Sequence, residues 1–113
     1  MAKIYVQKAP LVWQCSTSMA AGASLSSGPF VTGGYAELVG ILFTSSSLVS
    51  PSGLRIWQSG DSGSNWDYHT DYAVAAETGC AFTIAVVGDM ARIDVRTDSA
   101  ASAFRTAWRL RPV

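Results

Sequence analysis

The chain has 113 residues, of which 49% are hydrophobic and 14% are charged, and its formal net charge is zero. This length is typical of one compact domain, and the apolar share is enough for a core without disulfides. The neutral balance argues against a nucleic-acid-binding protein, which is usually basic, and no run reaches the ~18 apolar residues of a membrane span. Met1-Ala2-Lys3 is not followed by an apolar signal segment, so we expect synthesis in the cytoplasm.

The low charge has two explanations, and the sequence leaves both open. The surface is coated with Ser, Thr, Gly and Ala, or much of it is hidden against other subunits, where charged residues are depleted. The two cysteines, Cys15 and Cys80, lie far apart and outside any metal-ligand spacing. We therefore expect free buried thiols and no metal or other cofactor.

The first half of the chain predicts short strands at residues 3–8 and 11–15, separated by Pro10. Residues 16–29 are dominated by Ser, Ala and Gly, and predict a loop or an extended arm. Residues 35–44 form the most apolar run. Because apolar side chains fall on both of its faces, it predicts a central strand that is covered on two sides.

The second half predicts a hairpin followed by three or four more strands. In residues 54–59, Leu54 and Ile56 point to one side of a strand and Arg55 and Trp57 to the other; residues 60–65 are turn formers, and Trp66 restarts the apolar pattern. Further strands are expected at residues 72–76, 80–87, 90–96 and 102–111. Gly88-Asp89 predicts a two-residue hairpin turn between the second and third of these. Along 102–111, Phe104, Thr106, Trp108 and Leu110 are expected to face the core.

About eight short strands separated by turn signals, with no helical period, predict an all-β protein. We expect one antiparallel β-sandwich or jelly-roll-like domain over residues 1–113.

The last sixty residues resemble a pattern found in small β-sandwich virion proteins of tailed bacteriophages. That pattern combines a polar hairpin ending in Asn-Trp-Asp, a strand pair around Val-x-Gly, and a terminal strand ending in Arg-Pro. The matching segments are Gln58-Ser59-Gly60-Asp61-Ser62-Gly63-Ser64-Asn65-Trp66-Asp67, Val86-Val87-Gly88-Asp89-Met90-Ala91-Arg92-Ile93, Phe104-Arg105 and Leu110-Arg111-Pro112. The same hairpin is similar to the Trp-bearing turn of discoidin-like galactose-binding sandwiches.

The phage resemblance implies a non-enzymatic structural protein of the virion. Such proteins decorate or cement a capsid or form part of a tail, and they act as trimers or other oligomers. The implied partners are other virion subunits, namely a major capsid or tail protein and further copies of the chain, and neither a membrane nor nucleic acid is expected. The discoidin resemblance implies the alternative, a lectin-like module that binds carbohydrate.

Seven residues of the hairpin are candidates for a ligand or contact site: Trp57, Asp61, Asn65, Trp66, Asp67, Tyr68 and His69. The oxygens of Asp61, Asn65 and Asp67 could hold calcium or could stabilise the turn. His69 between Asp67 and Asp71 could bind a metal or lie in an interface. The aromatic side chains, with Tyr72, form a sugar platform or pack within the protein.

Five arginines on the last strands are candidate interface residues: Arg92, Arg96, Arg105, Arg109 and Arg111. If their two strands are neighbours, they form a basic stripe on one sheet face. That stripe is either a solvated face with salt bridges to Asp94 and Asp98 or a subunit interface, where arginine is enriched.

Gly60-Asp61-Ser62-Gly63 imitates the nucleophile loop of chymotrypsin-like proteases. A nucleophilic serine needs a base that a third group orients. The single histidine, His69, follows the motif, whereas in that family it lies far upstream. We therefore predict no catalytic residues and no enzymatic activity.

Overall fold

The computed structural model describes residues 10–48 and 53–112. These residues form nine strands: β1 (Leu11–Met19), β2 (Ser24–Ser26), β3 (Phe30–Val31), β4 (Tyr35–Thr44), β5 (Leu54–Ser59), β6 (Tyr68–Tyr72), β7 (Cys80–Ala85), β8 (Met90–Arg96) and β9 (Ala101–Pro112). The strand predicted at residues 3–8 lies outside the described residues.

The strands form two antiparallel sheets. Sheet A has the order β1-β9-β4-β7, and sheet B has the order β2-β8-β5-β6 with β3 also paired to β8. The sheets pack face to face, so the predicted all-β antiparallel sandwich is confirmed. The described segments contain no helix that is long and apolar enough to cross a membrane.

Alternation along each long strand places one set of side chains between the sheets. The predicted inward residues of the last strand, Phe104, Thr106, Trp108 and Leu110, are all buried. Sheet B contributes the buried side chains of Leu54, Ile56, Ile93 and Val95. Gly40 on β4 lies directly opposite Trp108, and this glycine leaves the space that the indole ring fills.

β4 is central within its sheet, because β9 and β7 pair with its two edges. Leu38, Gly40 and Leu42 face the core, but the residues between them lie on the outer surface of the sandwich. Ile41 is 65% exposed there. The prediction that both faces of this strand are covered is therefore wrong within one chain, although the strand itself is placed correctly.

Residues 16–29, expected to be a loop or arm, belong largely to the sheets. β1 continues to Met19 and pairs with β9, and Ser24, Leu25 and Ser26 pair with β8. The strand predicted at residues 72–76 is also displaced. β6 runs from Tyr68 to Tyr72, and beyond it only Val74 makes an isolated bridge, to Leu48.

The Gly88-Asp89 turn does not form a hairpin, because β7 belongs to sheet A and β8 to sheet B. The backbone here turns from one sheet to the other. The side chain of Gln58 on β5 accepts hydrogen bonds from the Val87 and Gly88 amides at 2.8 and 3.0 Å. A side chain from a third strand thus satisfies both of these backbone amides.

Cys15 and Cys80 are free thiols, as expected. Both are half-buried rather than fully buried, and Cys80 packs against the core from its position on β7.

Candidate interaction surfaces

The 60–67 loop of the β5–β6 hairpin is held by its own side chains. The Asp61 carboxylate accepts hydrogen bonds from the Asn65 backbone amide at 2.8 Å, the Asn65 side-chain amide at 2.6 Å and the Ser59 hydroxyl at 2.8 Å. The bonds from Asn65, followed by that from Ser59, lower the pKa of Asp61. The turn-stabilising interpretation of Asp61 and Asn65 is therefore confirmed, whereas Asp67 is exposed and lies outside this bonding pattern.

Ser62, the residue that imitates a protease nucleophile, serves the loop backbone instead. It adopts a left-handed φ of 59° and is followed by Gly63 at 90°, the region in which glycine is least strained. Its hydroxyl lies 3.1 Å from Asp89, which also accepts its amide at 3.1 Å. Ser62 thereby ties the hairpin loop to the β7–β8 connection.

Trp57 lies at the centre of a row of cations and aromatic rings on the outer face of sheet B. The guanidinium carbons of Arg55 and Arg92 are 5.2 and 5.5 Å from its ring centroid. The His69 ring, on the paired strand β6, is 4.6 Å away. Arg92 also lies 5.2 Å from the ring centroid of Trp66. The three arginine distances are in the range of cation–π attraction.

Carboxylates neutralise both arginines in this row. Arg55 donates to both Asp71 oxygens, at 2.7 and 3.0 Å, and Arg92 donates to Asp94 at 3.2 Å. The hydrogen bond with Arg55 lowers the pKa of Asp71 and raises that of Arg55, although partial desolvation opposes both shifts. A groove of about 430 Å³ runs beside Trp57, between this network and the serines of β2.

His69 contacts Asp71 rather than forming a cluster with both neighbouring aspartates. Its Nδ1 lies 3.0 Å from Asp71, a residue already paired with Arg55. Across residues 10–48 and 53–112 there is no group of three or more His, Cys, Asp or Glu side chains that could hold a metal. Tyr68, at the start of β6, is 49% exposed.

The five candidate arginines do not share one face, so the predicted single stripe is wrong. Arg92 is on β8, which pairs with β5 in sheet B, whereas Arg105 is on β9, which pairs with β1 and β4 in sheet A. The two groups therefore lie on opposite outer surfaces of the sandwich. Arg92 and Arg96 belong to the sheet B surface, and Arg105, Arg109 and Arg111 belong to the sheet A surface.

The sheet A surface combines these arginines with apolar side chains, of which Ile41 is exposed and Val39 and Phe43 are half-buried. We define the sheet A outer face by Val39, Ile41, Phe43, Ala81, Ala107, Arg105, Arg109, Arg111 and Glu37. Ile41 is opposite Ala107 on one side and Ala81 on the other. The guanidinium carbon of Arg105 lies 4.2 Å from the Phe43 ring centroid, and Arg111 donates to Glu37 at 2.9 Å.

Sequence reasoning identified the arginines of this surface but missed its apolar residues. The alternating pattern places Val39, Ile41 and Phe43 on one side of β4 and Leu38 and Leu42 on the other. Both sides of β4 have the composition of a buried face, so the sequence does not indicate which side is exposed to solvent. The apolar character of Val39, Ile41 and Phe43 could nevertheless be read from the sequence.

Searches against protein-family models, curated proteins and solved structures found no match to this chain.

Proposed function

We propose that this protein is a non-enzymatic structural subunit that self-assembles through the sheet A outer face, as a capsid decoration, cement or tail component of a virion. The observation that carries the proposal is the apolar row on the outer side of β4, a strand paired on both edges, where Ile41 is exposed between the half-buried Val39 and Phe43. The resemblance of the hairpin and terminal strands to phage virion proteins supports the virion setting. The low fraction of charged residues, 14%, suits a chain with much of its surface in contact with other subunits.

The outer residues of β4 are unusual for a sheet face in water. An antiparallel sheet with one solvated face normally alternates apolar and polar residues. Here Ile41 is 65% exposed between two alanines. Complete burial of an isoleucine side chain contributes about 1.5–3 kcal/mol, so covering the exposed part of Ile41 would contribute roughly 1–2 kcal/mol.

The arginines around this row are also typical of an interface. Arginine and aromatic residues are enriched in protein–protein contacts, while lysine and acidic residues are depleted. Among the described residues, the sheet A outer face has three arginines, one phenylalanine and one glutamate, while both lysines of the chain, Lys3 and Lys8, lie outside the described residues. Arg105 stacked on Phe43 offers a planar donor group that is already oriented.

Carbohydrate binding, the alternative function, has weaker support from the geometry. A sugar ring binds an indole by stacking on an open aromatic face. Trp57 is already engaged by Arg55, Arg92 and His69, and Trp66 by Arg92. A sugar would have to compete with these contacts.

The test is the mass of the purified chain measured by light scattering over a range of concentrations, for wild type and Ile41→Glu. We expect wild type to form an oligomer and Ile41→Glu to fall to 11.9 kDa, the mass of one chain, because the variant places a charge where a partner would bury isoleucine. Ala75→Glu adds the same charge at an exposed position away from this face and should assemble like wild type. A monomeric wild type, or an Ile41→Glu variant that still assembles, would contradict the proposal.

A further inference from the structure

One end of the sandwich has an electrostatic character opposite to that of the sheet A outer face. The acidic end is defined by the loops at residues 60–67 and 86–89, which contain Asp61, Asp67 and Asp89 and no Lys or Arg. The Arg111–Glu37 ion pair of the sheet A outer face lies beside these loops, because Glu37 pairs with Ala85. Val87 in the second loop is 66% exposed. Val87 at this end and Ile41 on the sheet A outer face are thus both exposed aliphatic residues. Carboxylates lie near Val87, whereas arginines lie near Ile41.

Hydrogen bonds fix the shape of the acidic end. Gln58 is only 4% exposed, and besides accepting the two amides at Val87 and Gly88, it donates to the Ala85 carbonyl at 3.0 Å. The Asp89 amide donates to the Ser59 carbonyl at 2.9 Å, and Ser62 joins the two loops through the Asp89 carboxylate. A surface that is already ordered loses little conformational entropy when it binds.

The opposite end of the sandwich does not offer this combination. It carries Glu77 and Asp98, but none of the large apolar side chains that are well exposed in the described residues. Those side chains are Leu11, Val31, Ile41, Tyr68 and Val87. Val31, on β3 beside Met90, adds a second exposed valine near the acidic end.

We propose that the sheet A outer face of one copy binds the acidic end of a second copy, so that subunits associate head to tail. This inference rests on the proposed function, because it takes the sheet A outer face to be the assembly surface. Each sheet A outer face has three arginines and one glutamate, so contact between two identical faces would bring surfaces of the same net charge together, and like charges repel. A contact between a basic face and an acidic end avoids this repulsion and pairs Ile41 with an aliphatic residue of the neighbour.

A head-to-tail contact has a consequence that a symmetric contact lacks. Each subunit uses two different surfaces, so repetition either closes a ring or continues as a filament. It also follows that damage to either surface stops self-assembly but leaves the other surface able to bind. Two defective variants can then complement each other.

The experiment combines Ile41→Glu, which damages the face, with Val87→Lys, which puts a positive charge at the acidic end. Each variant alone should lose assembly and have a mass of 11.9 kDa. An equimolar mixture should contain a species of twice that mass, since the intact face of one variant binds the intact end of the other. Circular dichroism and thermal melting of each variant would establish that it is folded, and Val87→Ser provides a second variant without a new charge.

The outcomes separate this inference from the proposed function. If Val87→Lys and Val87→Ser assemble like wild type while Ile41→Glu does not, head-to-tail contact is overturned and the assembly role of the face stands. Head-to-tail contact is likewise overturned if both variants are monomeric but the mixture contains no heterodimer. A wild-type chain that is monomeric at every concentration overturns both proposals.

Discussion

The fit between Gly40 and Trp108 leads to the most quantitative prediction, a large cost for Gly40→Ala. A Cβ at residue 40 would lie 2.2 Å from Cδ2, 2.3 Å from Cε3 and 2.6 Å from Cε2 of the indole ring. Ordinary van der Waals contact begins near 3.4 Å, so the ring or the β4 backbone would have to move by about 1.2 Å. A single methyl group therefore conflicts with the largest side chain of the core.

The size of the destabilisation by Gly40→Ala depends on how little Trp108 can move. Its side chain is 0% exposed and stacks on Phe82 with a centroid separation of 5.7 Å. Both strand edges of β9 are paired, so the backbone cannot retreat without breaking ladder bonds. Overpacking in a dense core costs about 1–3 kcal/mol, and here we expect the upper end, ~3 kcal/mol.

Urea denaturation of the wild-type and Gly40→Ala proteins would measure the difference in the free energy of unfolding. Gly79→Ala is the matched control, because a Cβ there meets no atom within 4 Å and the backbone has no left-handed φ; its effect should stay within about 0.5 kcal/mol. Trp108→Leu removes the clash, so the double variant should be more stable than the sum of the two single effects predicts. If Gly40→Ala costs no more than Gly79→Ala, the packing argument is refuted.

Two further predictions concern polar side chains. Gln58→Leu should lower the free energy of unfolding by about 1–3 kcal/mol, because the amides at Val87 and Gly88 lose their acceptor. Urea denaturation would measure this change, with a substitution at an exposed position, Gln14→Leu, as the control. Equal effects of the two substitutions would contradict the prediction. Asp71→Asn should destabilise the protein at pH 7 and progressively less as the pH falls below about 4. Arg55 lowers the pKa of Asp71 in the folded state, so the ionised carboxylate stabilises the fold at neutral pH, and this stabilisation is lost as the pH falls through the folded-state pKa. Urea midpoints at pH 7 and pH 3 would test this, and a difference independent of pH would count against it.

The strands with strict alternation were predictable because the hydrophobicity of their side chains determines both the two-residue repeat of the sequence and which side chains are buried. Residues 54–59 and 90–96 were assigned with the same bounds as β5 and β8. In each, the aliphatic positions face sheet A, whereas the charged positions, and Trp57 on β5, lie on the outer face of sheet B. Ile56 and Ile93 are both 0% exposed and pair directly across the two strands.

The strands around Ser16 and Ser24 could not be recognised in the same way. Serine and threonine bond readily to nearby backbone groups and are enriched in turns, so a run such as residues 16–18 resembles a loop. The structure pairs these residues with β9 and β8, strands about seventy or more positions later in the chain. Their extended conformation depends on those distant partners rather than on local composition.

The arrangement of the arginines was unpredictable for a related reason. Each arginine was correctly assigned to the side of its strand that faces away from the core. Strand order, however, is a property of the whole fold, and β8 and β9 are neighbours in sequence but belong to different sheets. The same limit applies to Gly88-Asp89, since a short polar turn between apolar runs can join two strands of one sheet or cross between sheets. The pairing of β7 with β4 and of β8 with β5 distinguishes the two cases.

The position of β9 also bears on how the chain is made. It lies between β1 and β4, so those two strands do not pair with each other, and each needs residues 101–112 as its partner at that edge. During translation, the strand edges that β9 will later occupy stay open until that segment has left the ribosome, while β4 can already pair with β7. Exposed strand edges promote aggregation of incomplete chains. Sheet A is therefore completed only when β9 has emerged, and a ribosome that stalls before Ala101 holds a nascent chain in which β4 can pair with β7 but β1 lacks its partner strand.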